Sequence, residues 1–448
     1  MTANLVPHDS DVKAIKAHNP CGALLTRTLP SYSGSYSVGA RDVEFPVETR
    51  LIGSFALADP IKGTRVGFEL NTVLYTLFYP CKPAHDQASK VMWFPKLAQT
   101  VAGFLRMAHI TNWFYNSIAR FFAGIAIRGT TFPAFKDAPL LRAPENQPWP
   151  VIVFSHGVGC SRLMYSAFCG EMASRGYVVA AVEHRDGSSP WSIITFPDGT
   201  TKEMEFMRYT DVNMRLAEID GVIETLKLIT GSIKIRDNHG GIMEDFRGKD
   251  WEGSLDTDRV ILAGHSLGGT AVISAGADPR FKPRAVIATD PAMQRLDPWE
   301  GTIHCPVLSV NSEEFTDSDD FDRLLDAVPT FKGGSTVFSI PGSTHPSFSD
   351  VFLILPGLIN RKTGLTCSPL KVLSNTIIAC ETFLEGTLQY VVDQCKVVSG
   401  RQSRPFSDDR GPMWVQGDVV NKQDDEDQDR KLMGDVSVEL AQDGPQVF

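Results

Sequence analysis

The chain has 448 residues, 42% of them hydrophobic and 21% charged, with a formal net charge of −10. That composition describes a soluble globular protein of one large domain or two modest ones. The net acidic balance argues against nucleic acid as a partner. Eight scattered cysteines form no C-x-x-C pair and no metal-ligand spacing, so they read as free thiols of a reducing compartment.

Residues 1–34 read as an N-terminal extension, partly disordered. They contain no apolar core of signal-peptide length, and Met1 is not followed by the glycine that N-myristoylation requires. No uninterrupted apolar run reaches the roughly 18 residues of a membrane span. The expected location is cytoplasmic, with peripheral membrane contact left open. From Tyr36, the segments "SVGARDVEF", "TRVGFEL" and "TVLYTLFYP" alternate apolar and polar residues, as half-exposed antiparallel strands do.

An aromatic-rich stretch follows. Leu97, Val101, Phe104, Leu105 and Ala108 recur at helical spacing, and so do Ile110, Phe114, Ile118 and Phe121. Two readings compete for these helices. One is ordinary packing onto the core; the other is a face that dips into a lipid surface or roofs an apolar pocket.

The centre of the chain alternates strand-like and helix-like segments. Strands are expected at 150–156, 177–184, 259–266, 284–290, 306–313 and 336–342, and a helix at 214–229. The strand segments are near-continuous Val/Ile/Ala runs, as in strands buried on both faces. The alternation implies an α/β fold with a mostly parallel central sheet and helices on both faces, its active site at the C-terminal strand ends. A polar excursion occupies 230–257. The catalytic domain is expected over 35–399, followed by an acidic, disordered tail at 400–448 that contains "DDEDQDR".

Gly264-His265-Ser266-Leu267-Gly268 fits G-x-S-x-G, and it follows the strand "RVILA". This pattern lifts a serine onto a tight strand-to-helix turn, with its hydroxyl clear of the sheet. Ser266 is therefore the candidate nucleophile. A serine hydroxyl needs a base, and the base needs an orienting acid, in chain order Ser, acid, His. Of the two histidines that follow, His304 precedes a strand and sits at the wrong end of the sheet. His345 follows one and is the candidate base. Asp290 ends the next strand; Glu313 and Glu314 end the one after, and Asp290 is slightly favoured as the sole acid at its strand end. Asp297 reads as a solvated loop acid. An oxyanion hole needs two N–H groups. Leu267 offers one and the loop His156-Gly157-Val158-Gly159 the other, assigned to Val158 with Gly157 as the alternative. His156 shapes that loop. Glu183, His184, Arg185 and Asp186 read as a local ion and hydrogen-bond network of structural role.

Together the segments "SYSVGARDVEF", "PVIVFSHGVG", "YSAF", "GYVVAAVEHRDGS", "RVILAGHSLGG", "RFKPRAVIATDPAM", "VNSEEF" and "GSTHPSFSD" resemble the platelet-activating factor acetylhydrolases of plasma and intracellular type II. The resemblance implies an α/β-hydrolase fold and a lipase-like, calcium-independent phospholipase acting on short or oxidised sn-2 chains. It implies Ser266 as nucleophile, His345 as base, Asp290 rather than Glu313 as acid, and Leu267 and Val158 as backbone oxyanion donors. It also implies a lipid-contacting surface around Phe104, Leu105, Trp113, Phe114 and Phe121, extended by the segment 350–359. A phospholipid substrate is thus expected, and neither a metal nor an organic cofactor. The alternatives are a general carboxylesterase using the same triad on soluble esters, and a non-catalytic lipid-surface binder.

Overall fold

The computed structural model describes residues 27–58, 65–83, 90–110, 112–196, 198–205, 212–231, 246, 250–355, 357–386, 413–416 and 437–440. Eleven strands form one sheet: β1 (Val38–Ala58), β2 (Arg65–Pro80), β3 (Phe135–Lys136), β4 (Trp149–Ser155), β5 (Val178–Glu183), β6 (Leu255–His265), β7 (Ala285–Thr289), β8 (Val307–Ser312), β9 (Ser335–Ile340), β10 (Met413–Gln416) and β11 (Ser437–Leu440). Their order across the sheet is β10-β11-β9-β8-β7-β6-β4-β5-β2-β1-β3. From β5 to β9 all neighbours are parallel, while β2 joins β5 and β11 joins β9 antiparallel.

The apolar runs explain the layering. Along β4, Val151 and Val153 point into one core and Ile152 and Phe154 into the other. Helices α4 (Val212–Ile229), α5 (Leu267–Ala277) and α6 (Asp319–Ala327) cover the first face. Helices α3 (Ser166–Ser174) and α7 (Pro369–Leu384) cover the second. Each strand is therefore apolar at consecutive positions, as burial on both faces requires. The expected central strands all form within a few residues of their predicted limits, except that β6 starts at Leu255, inside the segment read as a polar excursion.

Two expectations need correction, and the N-terminal segment, expected to be partly disordered, has a packed end. Strand β2 is not half-exposed: from Leu70 to Pro80 all but Asn71 are buried, because β5 pairs beside it and α3 and α4 pack over it. The last part of the N-terminal segment is packed: Leu29 is buried, and Ser33 donates to Glu171. Within the region read as a disordered tail, "MWVQ" and "SVEL" pair as β10 and β11 at the edge of β9, where β-prone residues meet an open strand edge. Residues 1–26 and the "DDEDQDR" run lie outside the described residues.

Helices α1 (Leu97–Met107) and α2 (Trp113–Ile127) form a hairpin outside both layers. Val101 and Ala102 of α1 are buried, whereas α2 buries none of its residues. Ile110 falls before α2, whose N-cap is Asn112, its side chain accepting from the Phe114 N–H. Among the described residues no helix is long and apolar enough to cross a membrane.

Candidate active site

The chain leaves β4 in one direction along the sheet, to β5, and β6 starts the opposite direction from the other side of β4. This reversal makes the C-terminal ends of β4 and β6 the switch point of the sheet, where ligands bind in such folds. The loop after β4 carries Gly157 and Val158; the turn after β6 carries Ser266.

Ser266 adopts φ 56° and ψ −123°, a strained conformation for a residue with a side chain. Two close approaches allow it. A Cβ on Gly264 would lie 2.4 Å from the Gly268 carbonyl oxygen, and one on Gly268 would lie 2.0 Å from the Ser155 carbonyl oxygen. The turn is also tied down: the Ser266 N–H donates to Thr289 O at 2.9 Å, and its carbonyl accepts from the Thr270 N–H at 3.0 Å.

His345 Nε2 lies 3.0 Å from Ser266 Oγ, and its Nδ1 lies 3.1 Å from Asp290 Oδ2. Asp290, fully buried at the end of β7, also accepts the Ser312 N–H at 2.7 Å and the Ser312 hydroxyl at 2.6 Å. Burial pushes the Asp290 carboxyl above its usual range, against the lowering effect of His345 and Ser312. Burial works against a charged His345, but the bond to Asp290 and its charge, helped by Glu314 and Asp320, outweigh it and raise the imidazole above its ordinary value. Serine, imidazole and carboxylate are thus joined in one hydrogen-bonded line.

The competing acids do other work. Glu314 accepts the His345 N–H at 2.8 Å, and Glu313 accepts the Gly342 N–H at 2.7 Å, so both hold the histidine's loop. His304 is exposed just before β8, at the opposite end of the sheet, and Asp297 pairs with Arg323 at the surface.

Leu267 opens α5, so its N–H has no partner within the helix. Across the crevice, Gly157 N–H is 3.4 Å from Tyr165 Oη and Gly159 N–H donates to Ser188 O at 2.8 Å. Between them, Val158 N–H has no acceptor among the described residues, which favours it over Gly157 as an oxyanion donor.

The loop after β4 rests on a buried network of charged and polar side chains. Arg215, on α4, donates to the His156 carbonyl, to Asp186 Oδ2 at 2.8 Å and to Ser188 Oγ at 2.7 Å. Glu218, one turn on, lies 2.7 Å from His184 Nδ1 and accepts the Arg185 N–H at 2.9 Å. Burial, with the Asp186 charge, pushes Glu218 up to about 8, while burial and Arg215 hold His184 well below its ordinary value. Burial first, then His184 and Arg215, pulls His156 down to about 3; it stays neutral and accepts the His184 N–H. The Glu183–Asp186 cluster is therefore a network, but not a local one: Glu183 pairs with Arg162, His184 with Glu218, Arg185 with Glu44 and Asp186 with Arg215. Charged residues at 215 and 218 interrupt an apolar helix face, the one signal that betrays them. Asp350 is a further buried acid, five residues after His345. It accepts from Trp93 Nε1, the Ser166 N–H and hydroxyl and the Ala167 N–H, and so pins the histidine loop to the start of α3.

His265, Asp290 and His345 each present one donor atom within 4.8 Å of the others. Both His265 nitrogens already have partners, Tyr165 Oη at 2.7 Å and the His345 carbonyl at 3.0 Å. The arrangement is that of a hydrogen-bonded line rather than a metal centre. The cysteines Cys81, Cys160, Cys169, Cys305, Cys367 and Cys380 are free thiols; Cys21 and Cys395 lie outside the described residues.

The five aromatic and aliphatic surface candidates divide. Trp113 is 75% exposed, Phe114 54% and Phe121 64%. Phe104 and Leu105 are half-buried, with Phe104 packed on the core. The segment 350–359 divides too: Phe352, Leu353 and Ile354 are buried, whereas Ile359 is exposed. Met107, at the end of α1, lies against Gly159 of the oxyanion loop, so the hairpin borders the crevice.

Comparison with known proteins places these features in a family. The dog (Canis lupus familiaris) platelet-activating factor acetylhydrolase is 29% identical over 355 residues, covering 75% of this chain and 71% of its own. The chicken (Gallus gallus) platelet-activating factor acetylhydrolase is 32% identical over 263 residues, covering 52% and 60%. A ferulic acid esterase structure from Streptomyces cinnamoneus superposes with a TM-score of 0.54 at 21% identity, over 85% of this chain and 96% of that one. That likeness speaks to the fold, which is the α/β-hydrolase fold. The sequence profile of the family "Platelet-activating factor acetylhydrolase, isoform II" matches residues 22–397, and the chain belongs to that family.

Proposed function

We propose that this protein is a serine esterase that hydrolyses the sn-2 acyl group, acetyl or otherwise short or oxidised, of platelet-activating factor-like glycerophospholipids. The observation that carries the reading is the Ser266–His345–Asp290 line at the switch point of the sheet, in a member of this family.

In this mechanism Ser266 Oγ attacks the ester carbonyl while His345 Nε2 takes its proton. Asp290 holds the ring and stabilises the imidazolium. The charge that develops on the carbonyl oxygen meets the N–H groups of Leu267 and Val158. His345 then returns the proton to the departing glycerol oxygen, leaving the acyl group on Ser266. A water molecule, deprotonated by His345, attacks that acyl group; the fatty acid leaves and Ser266 regains its proton. Every charge that develops has a protein partner, so the scheme calls for no calcium and no organic cofactor.

The exposed aromatic face of α2 supports a substrate that resides in a lipid surface. Because the aromatic residues of α2 are exposed, their side chains are free to enter a membrane interface while the neighbouring oxyanion loop faces the lipid. The test is hydrolysis of platelet-activating factor and an oxidised phosphatidylcholine, in chelator, with and without an organophosphate. Release of the short acyl product, abolished as the reagent labels Ser266, is the expected result. Turnover of soluble aryl esters with neither lipid cleaved would support a general carboxylesterase instead. Undiminished lipid hydrolysis by Ser266→Ala would refute the nucleophile.

A further inference from the structure

His265 is buried beside the nucleophile and takes no part in the proton transfers described above. Its ring is nevertheless the hub of a hydrogen-bonded chain. The His345 carbonyl can only accept, so the contact at 3.0 Å fixes the proton on His265 Nε2. In a neutral ring Nδ1 is then an acceptor, and Tyr165 Oη, 2.7 Å away, donates to it. The same phenol oxygen lies 3.4 Å from the Gly157 N–H, which it accepts. Burial, with the His345 charge, holds His265 well below its ordinary pKa, so it stays neutral when His345 becomes imidazolium. The contacts reinforce this geometry. The His265 and His345 rings lie against each other, tilted by 36° with centroids 4.7 Å apart, and the Phe348 ring centroid lies 5.5 Å from that of His265. Gly157 is lodged among Ser266, His265 and Tyr165: a Cβ there would lie 3.0 to 3.3 Å from all three.

We propose that His265 is a positioning residue: fixed in one tautomer by the His345 carbonyl and braced from the other side by Tyr165, it holds the backbone and ring of His345 in line with Ser266 and ties that alignment to the loop after β4 through Gly157. The inference rests on the serine-esterase reading. It gives the residue between Gly264 and Ser266 a reason to be histidine. A donor is needed on one side, an acceptor on the other and a flat ring between.

The test compares His265→Phe, His265→Gln and Tyr165→Phe with the unaltered full chain and with Ser266→Ala, using p-nitrophenyl acetate and an organophosphonate that labels Ser266. Phenylalanine keeps the flat ring and removes both hydrogen bonds; glutamine restores a donor towards the His345 carbonyl. Because displacement of a catalytic group by about 1 Å can cost about 100-fold, we expect His265→Phe to lower kcat by roughly 10- to 100-fold with KM within about threefold. The rate of phosphonylation should fall in parallel. His265→Gln should recover most of the loss. Tyr165→Phe, which deletes one hydroxyl, should lower kcat by about 3- to 10-fold and carries the test if His265→Phe does not fold. Unaltered kcat in Tyr165→Phe or in folded His265→Phe would overturn the proposal. So would losses that glutamine does not relieve and that track a lowered Tm, since those mark a packing role only. Ser266→Ala separates the two levels. If it is inactive while the His265 and Tyr165 variants are unimpaired, the inference fails and the esterase reading stands. If it retains full activity, the reading itself fails.

Discussion

Replacing Gly268 by alanine probes how closely the nucleophile turn and the oxyanion loop are set against each other. The new Cβ would lie 2.0 Å from the Ser155 carbonyl oxygen, 2.5 Å from its carbon and 2.9 Å from the His156 oxygen. All three are backbone atoms, so no side chain can swing aside. Cβ atoms do not approach other atoms closer than 3.0 Å, so α5 and the end of β4 must separate by about 1 Å. Ser266 rides on one side of that gap and Val158 on the other. Overpacking of this kind costs about 1–3 kcal/mol of stability, and a 1 Å error between nucleophile and oxyanion donors costs about 100-fold in rate. We therefore expect Gly268→Ala to remain folded with a lowered Tm and to lose about 100-fold in kcat on p-nitrophenyl acetate. Gly269→Ala is the internal control. Its Cβ would meet Pro291 at 3.1 and 3.2 Å and calls for shifts of only a few tenths of an ångström, so its kcat should stay within about fivefold. A Gly268→Ala enzyme as fast as the unaltered one, or a Gly269→Ala enzyme more impaired than Gly268→Ala, would refute the reasoning.

Two further outcomes follow from the electrostatics and the surface. His345 must be neutral to act as base, and its pKa is raised in the folded chain, chiefly by Asp290 once burial is overcome. Activity is therefore lost as pH falls through a value above the ordinary imidazole pKa of about 6.5. Asp290→Asn should move the midpoint of the kcat/KM profile downward and reduce the rate by about 1,000-fold or more; an unshifted midpoint would assign the limb to another group. The double variant Trp113→Ser, Phe121→Ser removes two exposed rings from α2. Its binding to phosphatidylcholine vesicles, followed by sedimentation, should weaken by about tenfold or more, and equal binding would remove α2 from the lipid surface.

The sequence made the central sheet legible because burial on both faces writes itself as unbroken apolar runs, as in "PVIVFS" and "RVILAGH". The juxtaposition of Ser266, Asp290 and His345 was legible for a related reason: each terminates or follows such a run, and strand ends share one edge. What stayed hidden depends on which way a side chain faces. Arg215 and Glu218 interrupt the apolar face of their helix, but that interruption does not say that they reach Asp186 and His184. Nor does spacing say that Tyr165 and His265, a hundred positions apart, share a hydrogen bond. The aromatic stretch was ambiguous because the same periodicity serves core and surface. In α1 the apolar stripe turns inward at Val101, whereas in α2 it turns outward. β10 and β11 were missed because four-residue strands in a polar, acidic context carry almost no periodic signal.

Helix α2 has one more consequence, for how such an enzyme can diverge. None of its side chains is fully buried and only Ile127 packs against the core, so substitutions on its exposed face carry little folding penalty, unlike those in "GHSLGG", where an added methyl group strikes backbone. Selection can therefore rewrite the exposed face of this helix while the crevice around Ser266 stays fixed. Relatives that share this chemistry are free to disagree about where in the cell, or outside it, they perform it.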